Sequence, residues 1–128
     1  MRTITLFIFA LLLLSCSKEK APEVETLDNI SQGIIGRWES VKWTSDQCYS
    51  LVNYTFNQDK TWEMYARQNC IGAKYEVKGT YSVDQESKKI TLIHEDHPTP
   101  TTLTLTYLSN KRIISDQFEG NRVANKQD

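Results

Sequence analysis

The sequence predicts an all-β fold, an antiparallel up-and-down meander closed into a small barrel of about seven or eight strands. Three observations carry this. Apolar residues recur with period two throughout the chain beyond Pro22. No long stretch there holds the 3.6-residue period of a helix. Clusters of Asn, Asp, Ser, Lys and Pro separate the alternating runs at short intervals, as hairpin turns do.

The elements follow in chain order. A strand fits Gly36 to Trp43. Leu51 to Asn57 places Val52, Tyr54 and Phe56 on one face, and Thr61 to Arg67 does the same with Trp62, Met64 and Ala66. The cleanest run is Lys74 to Val83. Tyr75, Val77, Gly79, Tyr81 and Val83 share one face; Lys74, Glu76, Lys78, Thr80 and Ser82 share the wet one. Lys89 to Glu95 turns Ile90 and Leu92 inward and Ile93 outward. Thr101 to Leu108 turns Leu103, Leu105 and Tyr107 inward. Arg112 to Phe118, with Ile113 and Ile114, is the weakest of the set.

The connections Asn57-Gln58-Asp59-Lys60, Asp84-Gln85-Glu86-Ser87 and Ser109-Asn110-Lys111 are short and polar, and His97-Pro98-Thr99-Pro100 is a stiff link. Short links make sequential strands hairpin neighbours. An open meander would leave two bare edges, and closure removes them. A two-sheet sandwich satisfies the same spacing and is the rival architecture. The inward set adds Val52, Val77, Val83, Ile90 and Leu92 to large aromatic rings. At a packing density of roughly 0.74, such side chains fill a small barrel and leave a shallow pocket at its open end.

Before the barrel comes a different chemistry. Met1-Arg2 is positive, and Ile4 to Leu14 is apolar apart from Thr5. That length and order suit the core of an export signal and are too short for a membrane span. Leu13-Leu14-Ser15-Cys16 closes the run and resembles the lipobox of bacterial lipoproteins. The resemblance implies that residues 1–15 are removed, that Cys16 is acylated, and that it becomes the mature N-terminus. A soluble secreted product cut nearby and an uncleaved anchor are the alternatives. Each buried methylene contributes about 0.8 kcal/mol, so several acyl chains hold firmly. Residues 16–29 then read as a charged flexible tether, and 30–128 as the barrel. The implied location is the bacterial cell envelope, on the outer membrane, on a face left open.

Lysines and arginines number 15 against 16 aspartates and glutamates, a net charge of −1. A nucleic-acid partner needs a basic surface and is not expected. Of the three cysteines, Cys16 goes to lipid. Cys48 and Cys70 remain, equally far in sequence from Asp59. A hairpin folded about that residue brings them together, and an exported protein oxidises them to a disulfide.

Gly36-Arg37-Trp38 has the Gly-x-Trp pattern that opens the first lipocalin strand. With Tyr54-Thr55-Phe56-Asn57, Gly79-Thr80-Tyr81-Ser82-Val83 and Lys89-Ile90-Thr91-Leu92, the chain resembles the small lipocalin-like lipoproteins of Bacteroidetes. The resemblance runs from about Ile30 to the end and implies that Gly36 and Trp38 are structural, with Trp38 packing across the closed end; it also implies a short helical turn over Asp28 to Gly36 before the first strand, with Asp28 as its N-cap. The domain is shorter than a full lipocalin.

Chemistry-bearing motifs are sparse. His94-Glu95-Asp96-His97 has potential metal ligands, but its spacing fixes no third or fourth partner, and it reads as a solvated loop. No nucleophile elbow or phosphate loop occurs. The expectation is therefore a non-enzymatic protein without cofactor or metal. It is anchored to membrane by its N-terminal lipid and binds a small hydrophobic or amphipathic ligand through Tyr54, Trp62, Met64, Tyr75 and Tyr81. The alternative is an envelope interaction protein, inhibitor or immunity-like, with a filled barrel that acts through its loops.

Overall fold

The computed structural model describes residues 22–124. The expected signal segment, Cys16 and the first part of the tether lie outside the described residues. Eight strands form a closed antiparallel barrel in sequence order: β1 (Gly36–Trp43), β2 (Tyr49–Phe56), β3 (Thr61–Gln68), β4 (Ala73–Asp84), β5 (Lys89–His94), β6 (Thr101–Leu108), β7 (Arg112–Ser115) and β8 (Glu119–Val123). The meander and its closure are those the alternation predicts.

The last strand is the addition. Glu119-Gly120-Asn121-Arg122-Val123 carries no apolar alternation. It is a strand because β1 and β7 both need a partner: Arg37 pairs with Val123 and Trp38 with Arg122, while Ile113 pairs with Gly120. The run read as Arg112 to Phe118 accordingly breaks after Ser115. Ser115 Oγ accepts from the backbone N–H groups of Gln117 (3.2 Å) and Phe118 (2.9 Å), which makes that break a tight turn.

The barrel is plugged where β1 begins. A single 3₁₀ turn (Leu27–Asn29) leads into the one-turn helix α1 (Ile30–Gly33). Ile30 and Ile34 are wholly buried there. Asp28 is not the N-cap; it lies inside the 3₁₀ turn, and Asn29 precedes α1 without a side-chain cap. The orphan N–H of Ile30 goes instead to Gln85 Oε1 at 2.8 Å, and Gln85 Nε2 donates to the Leu27 carbonyl at 2.8 Å. A tertiary contact from the β4–β5 turn replaces the local cap.

Trp38 packs across this end with no exposure. Its indole N–H donates to the Ile34 carbonyl at 2.8 Å. The Arg122 guanidinium lies 4.3 Å over the ring and donates to the carbonyls of Ile35 and Gly33, both at 2.6 Å. Gly36 is required here: its φ of +132° is a left-handed value, and a Cβ would run into Arg122.

The segment expected as tether is strapped to the wall over 22–26. Thr26 N–H donates to the Leu108 carbonyl at 2.8 Å, and Val24 exchanges backbone and side-chain bonds with Asn110. Glu23 Oε1 accepts from Tyr107 (2.8 Å) and Ser109 (2.7 Å). Backbone bonding to the β6–β7 turn supplies order that this segment's composition does not.

That strap explains a correction. Tyr107 does not point inward. The register slips between Leu105 and Tyr107, a bulge that turns Tyr107 toward Glu23 and sends Leu108 into the core with no exposure. A single inserted residue reverses the facing of all that follows.

Candidate functional site

With β1 starting at the plugged end, the antiparallel order places the 44–48, 69–72, 95–100 and 116–118 loops around the other end, the mouth. One disulfide staples two of them. Cys48 and Cys70 are bonded with Cα atoms 5.4 Å apart. The hairpin does fold about Asp59: Ser50 pairs with Gln68 and Phe56 with Trp62. Asn57 N–H closes the turn on the Thr61 carbonyl at 2.9 Å, and Lys60 takes a left-handed φ of 68°.

Below the mouth the interior is filled. Phe56 and Tyr81 meet edge-to-face at 5.2 Å, Tyr54 and Phe56 stack at 6.1 Å, and Tyr54 lies 6.2 Å from Trp62. Phe118, only 8% exposed, folds in from the 116–118 turn and meets Tyr54 edge-to-face at 4.7 Å. Such pairs add about 0.5–1.5 kcal/mol beyond area burial. These rings form a floor across the barrel.

Above the floor the inner wall reaches solvent. Tyr54, Met64 and Val77 share one cross-strand row; Val52 and Ala66 share the next, nearer the mouth. All five are half-buried, and Val52, Tyr54, Met64 and Val77 also pack on the core. This half-buried apolar wall is the candidate cup. Burial pushes the Tyr54 phenol up from its ordinary range.

The five residues expected to contact a ligand are divided by the structure. Tyr54 and Met64 line the cup. Trp62 lies in the floor, 1% exposed, with its indole N–H given to the Ile93 carbonyl at 3.2 Å and its ring edge-to-face with His94 at 5.2 Å. Gly79, between Trp62 and His94 in the ladder, leaves the gap this needs, since a Cβ there would run into the Ile93 carbonyl. Tyr81 is 4% exposed and its hydroxyl donates to the Asn57 carbonyl at 2.8 Å, so it belongs to the plugged half.

Tyr75 is not interior; it is 61% exposed. The cause is the length of β5. It pairs with β4 only from Gly79 to Asp84, so the tip of the β3–β4 hairpin, Ala73 to Glu76, runs past it and is exposed. Alternation there selects a face, but no core lies behind it. Phe118 is the functional-looking residue the alternation missed. The polar triplet Ser115-Asp116-Gln117 is the turn signal that points to it.

At the mouth, His94 Nε2 lies 2.8 Å from Thr101 Oγ1, and the His94 and His97 rings are 6.0 Å apart. Among the described residues no three His, Cys, Asp or Glu side chains gather as metal ligands.

No family model matches the chain, and no curated protein matches it. Among solved structures, the chain is similar to the NMR structure of a protein from Bacteroides uniformis ATCC 8492. The two share 19% identity at a TM-score of 0.53, over 76% of this chain and 93% of the other. At that identity the likeness shows the fold, a small antiparallel β-barrel.

Proposed function

We propose that the chain is a lipocalin-like, non-enzymatic binding protein, held by an acylated Cys16 on the outer membrane of a bacterial cell envelope. It takes a small hydrophobic or amphipathic ligand in the mouth cup. The observation that carries this is the half-buried apolar row of Tyr54, Met64 and Val77, open toward the mouth above a packed aromatic floor. Pockets that hold small molecules join apolar walls to a few polar groups. The Tyr54 hydroxyl supplies one such group, and Met64 adapts to shape. The floor limits the ligand to a short group or the end of a chain. The Gly36–Trp38 pattern and the plugged end support the lipocalin-like reading, and Leu13-Leu14-Ser15-Cys16 supports the anchor.

The test is native mass spectrometry of the protein purified from envelopes, combined with titration of short-chain and long-chain fatty acids. A co-purifying ligand, or short-chain binding lost in Met64→Ala, supports the cup. Tight long-chain binding that shifts Trp62 emission would contradict the closed floor. Cys16→Ala should release the protein from membranes; unchanged partitioning and mature mass would refute the anchor.

The packed floor also favours a second reading, an envelope interaction protein acting through its loops. Its mark is a protein crosslinked at the mouth loops on intact cells, with no small ligand recovered.

A further inference from the structure

The longest strand of the barrel is paired along only part of one edge. β4 runs from Ala73 to Asp84. On the β3 side each residue from Ala73 to Thr80 has a partner. On the β5 side the ladder starts at Gly79, with one further bond from the Glu95 N–H to the Lys78 carbonyl at 2.9 Å. Among the described residues nothing is hydrogen-bonded to that edge nearer the hairpin tip.

The Lys78 bond fixes which groups are free. Backbone groups alternate sides along a strand, so Lys74 and Glu76, like Lys78, turn their N–H and C=O toward the open side. Ala73 to Glu76 are all exposed. An extended edge with bare donors and acceptors is a template for another strand.

Charge separates this edge from one that is merely blunted. Like charges ward off any incoming strand. Lys74 and Glu76 have opposite signs and share one face, with Tyr75 between them on the other. Neither is neutralised by its neighbours on β3, since Lys74 stands opposite Arg67 and Glu76 opposite Tyr65. The ion pairs among the described residues are Lys78 with Glu95 and Arg112 with Glu119, so neither takes Lys74 or Glu76.

We propose that the open β4 edge pairs with the same edge of a second copy of this chain, antiparallel about a twofold axis at Tyr75. In that register Lys74 stands opposite the partner's Glu76, and Glu76 opposite the partner's Lys74, so both charges find a counter-ion. The same two pairs are the hydrogen-bonded ones, and each exchanges both of its backbone bonds. Tyr75 meets the partner's Tyr75 at the closer, non-hydrogen-bonded position, which covers two exposed rings with each other. Moving the axis by one residue fails in either direction. At Glu76 it sets Glu76 against its own copy and Lys74 against Lys78, whose carbonyl is already taken. At Lys74 it sets that lysine against its own copy. An edge this short buries less than the roughly 1,200–2,000 Å² of a stable interface, so the dimer is weak in dilute solution. It carries the Val52–Ala66–Tyr75 row on into the partner, but it rests on backbone and charge and depends on neither the cup's ligand nor the anchor.

The test is photo-oxidative dityrosine coupling of the full chain in detergent micelles, with peptide mapping of the product and amide exchange at Lys74 and Glu76 over rising protein concentration. A covalent dimer joined Tyr75 to Tyr75 is expected, lost in Tyr75→Phe, with protection at both amides growing with concentration. Lys74→Glu and Glu76→Lys each place like charges opposite one another twice per dimer and should cut the yield about tenfold. The double swap Lys74→Glu/Glu76→Lys should restore it. Both positions are exposed, so these variants keep the fold, which far-UV circular dichroism checks. Absence of Tyr75–Tyr75 coupling at about 1 mM protein, the weak end of specific association, overturns the proposal. So does a yield indifferent to the single reversals or not restored by the double swap. A ladder of higher oligomers overturns it too, as the mark of head-to-tail pairing with β1, whose ladder to β8 ends at Glu39. Protection of Lys74 and Glu76 by an added Thr-Val repeat peptide, but not by more of this chain, overturns it in favour of a foreign strand.

Discussion

Arg122 is the place where one substitution tests how the barrel is closed. Its guanidinium gives one hydrogen bond to Ile35 and one to Gly33, each 2.6 Å, and covers the Trp38 ring at 4.3 Å. The two carbonyls bracket the turn between α1 and β1, so one side chain ties the plug to the last strand. Hydrogen bonds from a charged donor contribute about 1.5–3 kcal/mol each, and a cation–π contact about 0.5–2 kcal/mol. Arg122 is half-buried, and water takes over part of both carbonyls when it is removed. Arg122→Ala is therefore expected to cost about 3 kcal/mol, a large share of the roughly 5–15 kcal/mol that holds a domain of this size. Arg122→Lys keeps the charge but has no planar fork to reach both oxygens, and should recover about half. The assay is urea unfolding followed by tryptophan emission and far-UV circular dichroism. A midpoint for Arg122→Ala that implies a loss below about 0.5 kcal/mol, at unchanged slope, would refute the reasoning. Full recovery in Arg122→Lys would refute the fork while leaving the charge.

The disulfide closes a separation of 22 residues, worth about 3 kcal/mol in the chain-entropy account; Cys48→Ser/Cys70→Ser should lower the melting temperature by about 10–20 °C, and equal melting of wild type with and without reductant would contradict it. Phe118→Ala should cost about 3 kcal/mol and deepen the cup; the readings are the unfolding midpoint and the emission of an apolar dye, and no change in either would remove Phe118 from the floor. Hydrogen bonds from Ser109, then Tyr107, hold the Glu23 carboxyl below its ordinary range. A depressed folded value means the strap's contribution is complete above the ordinary carboxylate range and is lost as pH falls through the lowered value. Amide protection factors at Val24 and Asn110, taken against the intrinsic exchange rate at each pH, should therefore fall on acidification in wild type, and Glu23→Gln should flatten that dependence; identical profiles for the two would sink the assignment to Glu23.

The sequence by itself determined the strands that alternate, because period two is a local property that each residue writes for itself. Val52, Tyr54 and Phe56 needed no partner to declare a face, nor did Ile90 and Leu92. It also determined the disulfide, since the Asn57–Lys60 turn sets the register on which Cys48 and Cys70 meet. Only the tertiary structure decided what depends on a neighbour from far along the chain. Glu119–Val123 is a strand because β1 and β7 require one, and Ile30 is capped by Gln85 from another turn. Tyr75 is exposed because β5 stops short of it, and Tyr107 faces out because a bulge in β6 shifts the register. Each of these is a long-range hydrogen bond or its absence, and pairing between distant segments leaves no trace in the spacing of residues within either one.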